Sequence, residues 1–319
     1  MRLLLVVLLA TVLPSAWAGQ DAVDAWKVLE QSAQAARKLS YKGVFVYQIG
    51  NSSRSVQITH MNYGQGEYAR IVMLDGQPRE VLSQGSDVVI FSPREEKVII
   101  EKRRGHNMFP AVLPSSLESL KASYEARLGG SERVGGCMGR VVFLDARDQY
   151  RYGYKFWADQ QNGLLLKYVT MDGRDRVMEK IAFNQIDLLD TQKMDWFQPH
   201  VDPDKTYVME ERKPSRVLTE SDSWTLADLP PGYRKIDQML SHVPGKAELV
   251  PHLIFSDGLA SVSLFIEPLD KGVRPKSGHS TMGATHFYAS VVDGRQVIAV
   301  GEVPEATVEQ IAHAISFQK

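Results

Sequence analysis

From Tyr41 onward the chain alternates with a period of two, and turn residues interrupt it about every dozen positions; this rhythm constrains its fold more than any other feature. Tyr41, Gly43, Phe45, Tyr47 and Ile49 fall on one face of an extended segment, with Lys42 and Gln48 on the other. Turn signals recur at Gly50-Asn51, within 62–66, and at Asp75-Gly76, Gln84-Gly85 and Ser92-Pro93. Parallel strands would need crossovers of about a dozen residues or more, for which this spacing leaves no room. The segment therefore reads as an antiparallel meander.

Helical spacing frames the meander. Asp24 is placed to cap a helix whose apolar positions Trp26, Leu29, Ala33 and Ala36 run to Leu39 and Ser40. The alternation breaks at Gly105, and residues 108–114 form an apolar loop bounded by Pro110 and Pro114. Ser115, with Glu118 three residues on, reads as a capping box that opens a second helix, and Gly129-Gly130 ends it. Strands resume at 140–144, 148–157, 164–171 and 177–189. About ten strands in one unit make a sheet that must curl to cover its apolar face.

Between 199 and 223 the sequence turns charged, with Pro203, Pro214 and the run Glu210-Glu211-Arg212-Lys213, and reads as a linker. A smaller unit starts near Trp224. It has strands at 250–255 and 259–266 around Asp257-Gly258, and at 287–292 and 297–300 around Asp293-Gly294. Pro304 opens a last helix in which Val308, Ile311, Ala312 and Ile315 share a face. The division expected is a leader at 1–18, a large domain at 19–202, a linker at 203–222 and a small domain at 223–319. A length of 319 residues suits two such units at roughly 150 residues per domain.

The leader has the parts of an export signal: Arg2, an apolar stretch over 3–13 too short to span a bilayer, and Ala16-Trp17-Ala18 as a small-x-small cleavage site. Cleavage is expected after Ala18, giving a soluble product in an exported, oxidising compartment. With 37 basic and 38 acidic residues the formal charge is -1, which argues against a nucleic-acid binder. A single cysteine excludes an intrachain disulfide and any multi-cysteine metal site. Cys137 reads as a buried inert thiol before a reactive one, since no helix N-terminus or basic pair stands by to lower its pKa, and intermolecular pairing is the remaining alternative.

Enzyme signatures fail on context, and no cofactor, metal or catalytic residue is expected. Gly64-Gln65-Gly66-Glu67-Tyr68-Ala69 fits a loose dinucleotide pattern, but it joins two strands where a phosphate site needs a helix N-terminus. Gly278-His279-Ser280-Thr281-Met282 has Met282 where a nucleophile elbow requires glycine. Ser316-Phe317-Gln318-Lys319 ends the chain with no room for a supporting site. The eight histidines show no H-x-H or H-E-x-x-H spacing.

Two constellations remain. Tyr150, Tyr152, Tyr154 and Phe156 alternate on one strand face and, with Phe45 and Tyr47, make a ring-rich sheet surface. It is either plain core or the wall of a pocket for an acyl chain, in which each buried methylene contributes ~0.8 kcal/mol. Arg94, Lys97, Lys102, Arg103 and Arg104 lie close in sequence to a gate at Met108 and Phe109. They are either a rim for an anionic head group or a solvated strand end neutralised by Glu95, Glu96 and Glu101.

Five stretches extend this reading: 40–47 (SYKGVFVY), 74–81 (LDGQPREV), 148–154 (DQYRYGY), 255–263 (FSDGLASVS) and 300–304 (VGEVP). In order and in both units, they resemble the RseB/MucB family of periplasmic sigma-factor regulators. The resemblance implies an α+β fold: an N-terminal unclosed antiparallel β-barrel with helices, similar to LolA/LolB-type lipoprotein carriers, followed by a small C-terminal α+β domain. It also implies a partner, the periplasmic part of a single-pass inner-membrane anti-sigma factor. That partner would be shielded from proteolysis until an amphiphilic lipid or lipoprotein signal releases it. Glu210, Glu211 and Arg212 at the linker, with Phe255 and Asp257, are the expected partner-binding residues. The other reading from the same residues is a periplasmic lipid or lipoprotein carrier, and a homo-oligomer is left open.

Overall fold

The computed structural model describes residues 24–64, 66–85, 87–102, 108–190, 193–199, 202–212, 224–243, 246, 248–269 and 274–317. The leader at 1–18, and with it Ala18, lies outside the described residues, as do Arg103, Arg104 and Lys213. Helix α1 (Ala25–Lys38) starts where the capping argument places it, with the Asp24 carboxylate accepting the Trp26 amide at 3.0 Å. It buries Val28, Leu29, Ala33 and Ala36. At its C-terminal end Arg37 donates to the Ala33 carbonyl and, at 2.7 Å, to the Leu113 carbonyl, which ties the helix to the 108–114 loop.

Eleven strands follow: β1 (Tyr41–Ile49), β2 (Ser52–Tyr63), β3 (Gly66–Met73), β4 (Glu80–Gln84), β5 (Asp87–Ser92), β6 (Lys97–Lys102), β7 (Tyr124–Val134), β8 (Cys137–Ala146), β9 (Gly153–Asp159), β10 (Leu165–Met171) and β11 (Val177–Leu188). With β12 (Val208–Arg212) they form one sheet in the order β12-β6-β5-β4-β3-β2-β1-β11-β10-β9-β8-β7, whose two ends do not pair with each other. The sheet is therefore an unclosed barrel wall. Pairing slips at Val44/Phe45, Leu128/Ser131, Leu165/Lys167 and Thr170/Met171 sharpen its twist. Its concave face packs on α1 and on Phe109, Leu113, Leu117 and Leu120 in one core with Phe45, Ile71, Leu144, Phe156 and Phe183.

Two expectations are corrected here. The helix read over 115–129 is only α2 (Glu118–Lys121), with Leu117 at its N-cap and no side-chain cap bond. From Tyr124 the chain is strand β7, because Tyr124, Ala126 and Leu128 alternate onto the core face and pairing with β8 outweighs a local helical pattern. Gly129-Gly130 is the slip in that pairing, and a Cβ at Gly129 would lie 2.9 Å from Phe143 and Val141 side-chain atoms. The expected linker at 203–222 is also part sheet: residues 208–212 are β12, parallel to β6, with Lys97 and Glu210 ion-paired across the pair. A parallel neighbour requires a long connection, and the whole segment from β7 to β11 supplies it. Glutamates on an edge strand hid it, since edge strands carry charge.

The second unit contains β13 (Trp224–Leu226), β14 (Arg234–Ser241), β15 (Val250–Ser256), β16 (Ser261–Pro268), β17 (Gly278–Met282), β18 (Thr285–Val292), β19 (Arg295–Gly301), α3 (Glu305–His313) and β20 (Ile315–Phe317). Six strands form an antiparallel sheet ordered β14-β15-β16-β19-β18-β17, while β13 and β20 pair separately. Val308, Ile311 and Ala312 of α3 share a core with Leu253, Phe255, Val262, Leu264, Val297 and Ala299. The chain is thus α+β with a large unclosed sheet and a small second domain. No helix among the described residues is long and apolar enough to cross a membrane.

Candidate functional site

The aromatic face of β1 and β9 does not fill completely. A cavity of about 500 Å³ opens against it, within the size range of small-molecule pockets. Phe45, Tyr47, Val56, Ile71, Tyr152, Tyr154, Phe156, Tyr168 and Ile181 line it from the large domain. Leu259, Ala260, Ala284 and Glu302 line it from the small one, so both domains build its wall. Tyr154 stacks on Phe156 at 5.8 Å, and Phe109 meets Phe45 and Phe183 at 5.1 and 4.9 Å. Phe109 is buried in this floor, whereas Met108 is exposed and also lines the cavity.

Tyr150 does not join its three neighbours. Its amide donates to Asp148 Oδ1 at 2.9 Å in a turn that precedes β9, so the two-residue alternation begins only after it. Its ring packs on the core of the small domain, and its carbonyl accepts the hydroxyls of Tyr233 at 3.3 Å and Thr307 at 2.7 Å. Tyr150 is a domain contact and not a cavity residue.

Charged groups lining the cavity are Arg54, Glu179 and Glu302. Glu179 lies on β11 two and four positions before Ile181 and Phe183, on the inward face, and this parity could have revealed it in the sequence. Thr170 Oγ1 lies 3.3 Å from its carboxylate, and the hydroxyls of Tyr168 and Tyr47 also donate to it. Burial, then the negative charge of Glu302, pushes its pKa up to about 7, and those hydroxyls offset only part of the rise. Burial likewise pushes Tyr152 up to about 12 and holds Tyr154 neutral.

A polar clamp positions the small domain against the cavity. Asp257 and Arg151 have no exposed side-chain surface and pair at 3.3 Å, with the Tyr124 hydroxyl donating to the same carboxylate oxygen at 3.0 Å. The second Asp257 oxygen accepts the amides of Leu259 and Ala260 at 2.9 Å each, which fixes the turn carrying those two cavity residues. Arg151 also donates to Asp148 at 2.9 Å and to the Pro231 carbonyl. Beside it Gly232, at φ +78°, approaches Ser123 so closely that a Cβ would lie 2.7 Å from its hydroxyl. Phe255 and Asp257, expected at a partner's surface, are both buried: the ring is in the small-domain core, and the carboxylate is used internally.

The basic rim does not border the cavity in the described residues. Arg94 is exposed in the turn between β5 and β6, Lys97 pairs with Glu210, and Lys102 pairs with Asp87. These positions lie toward the β12 edge of the sheet, which explains why proximity in sequence to Met108 misled. Glu211 is exposed on β12, and Arg212 ends that strand. Cys137 is a free, partly buried thiol whose pKa is raised, first by burial and then by Asp159. Among the described residues no cluster of three or more His, Cys, Asp or Glu is arranged to hold a metal ion.

Comparison with known proteins finds a family likeness in both domains. Residues 24–201 match the model of the MucB/RseB N-terminal domain and 218–316 that of the MucB/RseB C-terminal domain. The sigma-E factor regulatory protein RseB of Haemophilus influenzae is 24% identical over 97% of this chain and 96% of that protein. The sigma factor AlgU regulatory protein MucB of Pseudomonas aeruginosa is 29% identical over 92% of each. A crystal structure of MucB in complex with MucA(peri) is 26% identical, covers 93% of this chain and 100% of that chain, and superimposes with a TM-score of 0.74. A further crystal structure, of MucB, is 25% identical, covers 93% of this chain and superimposes with a TM-score of 0.66.

Proposed function

The chain belongs to the MucB/RseB family, and from that premise we propose that it is a periplasmic negative regulator of an envelope-stress sigma factor. In this reading it binds the periplasmic part of a single-pass anti-sigma factor and shields it from regulated proteolysis. A lipid or lipoprotein in the cavity releases it. The observation that carries the reading is the likeness, over both domains, to MucB in its complex with MucA(peri).

The carrier reading needs only the large sheet. A wall contributed by Leu259, Ala260, Ala284 and Glu302 favours the regulator, because a ligand there touches the domain arrangement a partner would read. The boundaries expected at 19–202 and 223–319, cleavage after Ala18 and export belong to the same proposal. So does the pocket of Phe45, Tyr47, Tyr152, Tyr154 and Phe156, which supplies ~0.8 kcal/mol per methylene to an acyl chain.

The test is protection. The chain from residue 19 is mixed with the periplasmic segment of the single-pass protein it captures from detergent-solubilised inner membranes, and cleavage of that segment by a site-1-type protease is followed with and without added lipid. Protection that lipid removes supports the regulator. Equal cleavage with and without the chain, together with transfer of lipoprotein between membranes, supports the carrier instead.

A further inference from the structure

The cavity wall is mostly apolar and aromatic, and the charges on it are two carboxylates and one guanidinium. Glu179 projects from β11 on the large domain, and Glu302 follows β19 on the small one. Among the described residues no ion pair joins either to a basic side chain; the groups donating to Glu179 are neutral hydroxyls of Tyr47, Tyr168 and Thr170. The negative charge of Glu302 raises the proton affinity of Glu179 from across the domain boundary. Arg54, on β2, is exposed at the lip of the same cavity.

Glu179, partly buried, and Glu302, exposed at the same wall, outnumber the single Arg54 guanidinium, and a positive group placed between the two carboxylates would be attracted to both. Rings beside such a site favour a cation further, since ammonium groups are attracted to aromatic faces. An anionic head group would meet Glu179 and Glu302 directly, and the lysines read as its rim are paired elsewhere.

We propose that the cavity selects amphiphiles whose head group carries an ammonium, held between Glu179 and Glu302 with Tyr47, Tyr152 and Tyr168 around it. The proposal rests on the reading of the cavity as an amphiphile site and specifies its ligand class. Two sources share this chemistry, a bare alkylammonium and a phosphoammonium head such as that of a zwitterionic phospholipid. In the second the phosphate would reach Arg54.

The experiment titrates the chain from residue 19 at pH 8 with four twelve-carbon probes below their micelle concentrations: dodecyltrimethylammonium, dodecylphosphocholine, dodecyl sulfate and dodecyl maltoside. The ammonium probe should bind at least about tenfold tighter than the sulfate, a preference of the size a desolvated cation site gives. Glu179→Gln should remove that preference while leaving dodecyl maltoside unchanged, and Glu302→Gln should reduce it. Tighter binding of the phosphocholine probe that Arg54→Gln abolishes assigns the phospholipid source; equal binding of the two ammonium probes assigns the bare ammonium. Sulfate binding as tightly as ammonium, or a Glu179→Gln variant that weakens all four probes alike, would overturn the proposal. Failure of every probe to bind would overturn the amphiphile reading of the cavity as well, and is distinguished by the maltoside arm.

Discussion

Replacing Asp257 by Asn should uncouple the two domains without unfolding either core. The variant keeps a carbonyl oxygen for the amides of Leu259 and Ala260, held at 2.9 Å, but it loses the charge facing Arg151 at 3.3 Å. The guanidinium is left in a site with no exposed side-chain surface. Breaking a buried pair from one side costs roughly 3–5 kcal/mol, and the remaining Asp148 contact places the loss near the lower end, about 3 kcal/mol. Arg151, Asp148 and Tyr124 belong to the large domain and Asp257 to the small one, so the loss falls on their docking. Trp224 is the one tryptophan after residue 202, while Trp26, Trp157 and Trp196 report on the rest of the chain from residue 19. In urea the wild-type chain should unfold in one fluorescence transition and Asp257→Asn in two. Adding Arg151→Met to Asp257→Asn should restore most of the loss, since groups in contact are not additive. A wild-type midpoint for Asp257→Asn, or a double variant that loses the sum of both singles, would refute the clamp.

Three further outcomes follow from the site. Glu179 ionises near 7 in the fold against an ordinary 4.5, so the folded state holds its proton more tightly and stability should fall as pH rises from 4.5 through 7. The loss is at most about 3 kcal/mol, less after solvent screening, and Glu179→Gln should flatten the slope in urea titrations at pH 5 and 8; an unchanged slope contradicts the shift. Ile71→Trp, at a buried position on the cavity wall, should displace about four methylenes of a bound chain and weaken a twelve-carbon probe by ~3 kcal/mol, with little effect on a six-carbon one. Equal effects on both probes would show that chains do not extend past Ile71. The raised pKa of Cys137 predicts alkylation by iodoacetamide at pH 8 well below the rate of the urea-unfolded chain, and matched rates would mark the thiol as exposed.

Local chemistry was the legible part of this sequence. Asp24 before Trp26, Asp257-Gly258 between β15 and β16, and Pro304 ahead of α3 each act through neighbours a few residues away. Segments decided by distant partners were not legible. A capping-box pattern at Ser115 and Glu118 lost to the β7–β8 pairing, and β12 was hidden because its partner β6 lies about a hundred residues earlier. At the site, the parity of β1 and β9 found Phe45, Tyr47, Tyr152, Tyr154 and Phe156, but the same parity carried one step too far included Tyr150. The 255–263 stretch held the resemblance, yet Asp257 serves the domain junction, a role visible only once Arg151 and Tyr124 are seen to converge on it.

On the proposed reading, the shared cavity wall sets how a lipid can act on a distant partner. A ligand shifts a conformational equilibrium only by its difference in affinity between the two states, so one bound wholly within the large sheet would leave the domain arrangement unchanged. Leu259, Ala260, Ala284 and Glu302 give the ligand that difference, because their contacts exist only while the small domain is docked. The Arg151–Asp257 pair resists undocking, and the turn held by Asp257 carries two of those four residues. A chain long or bulky enough to press on Leu259 and Ala260 therefore strains the turn that the clamp holds. Linkage makes the effect reciprocal: a lipid that lowers affinity for the anti-sigma factor must bind more weakly, by the same factor, when that partner is present. Asp257→Asn removes the resistance, so in that variant the lipid's effect on partner affinity should shrink even where the lipid still binds.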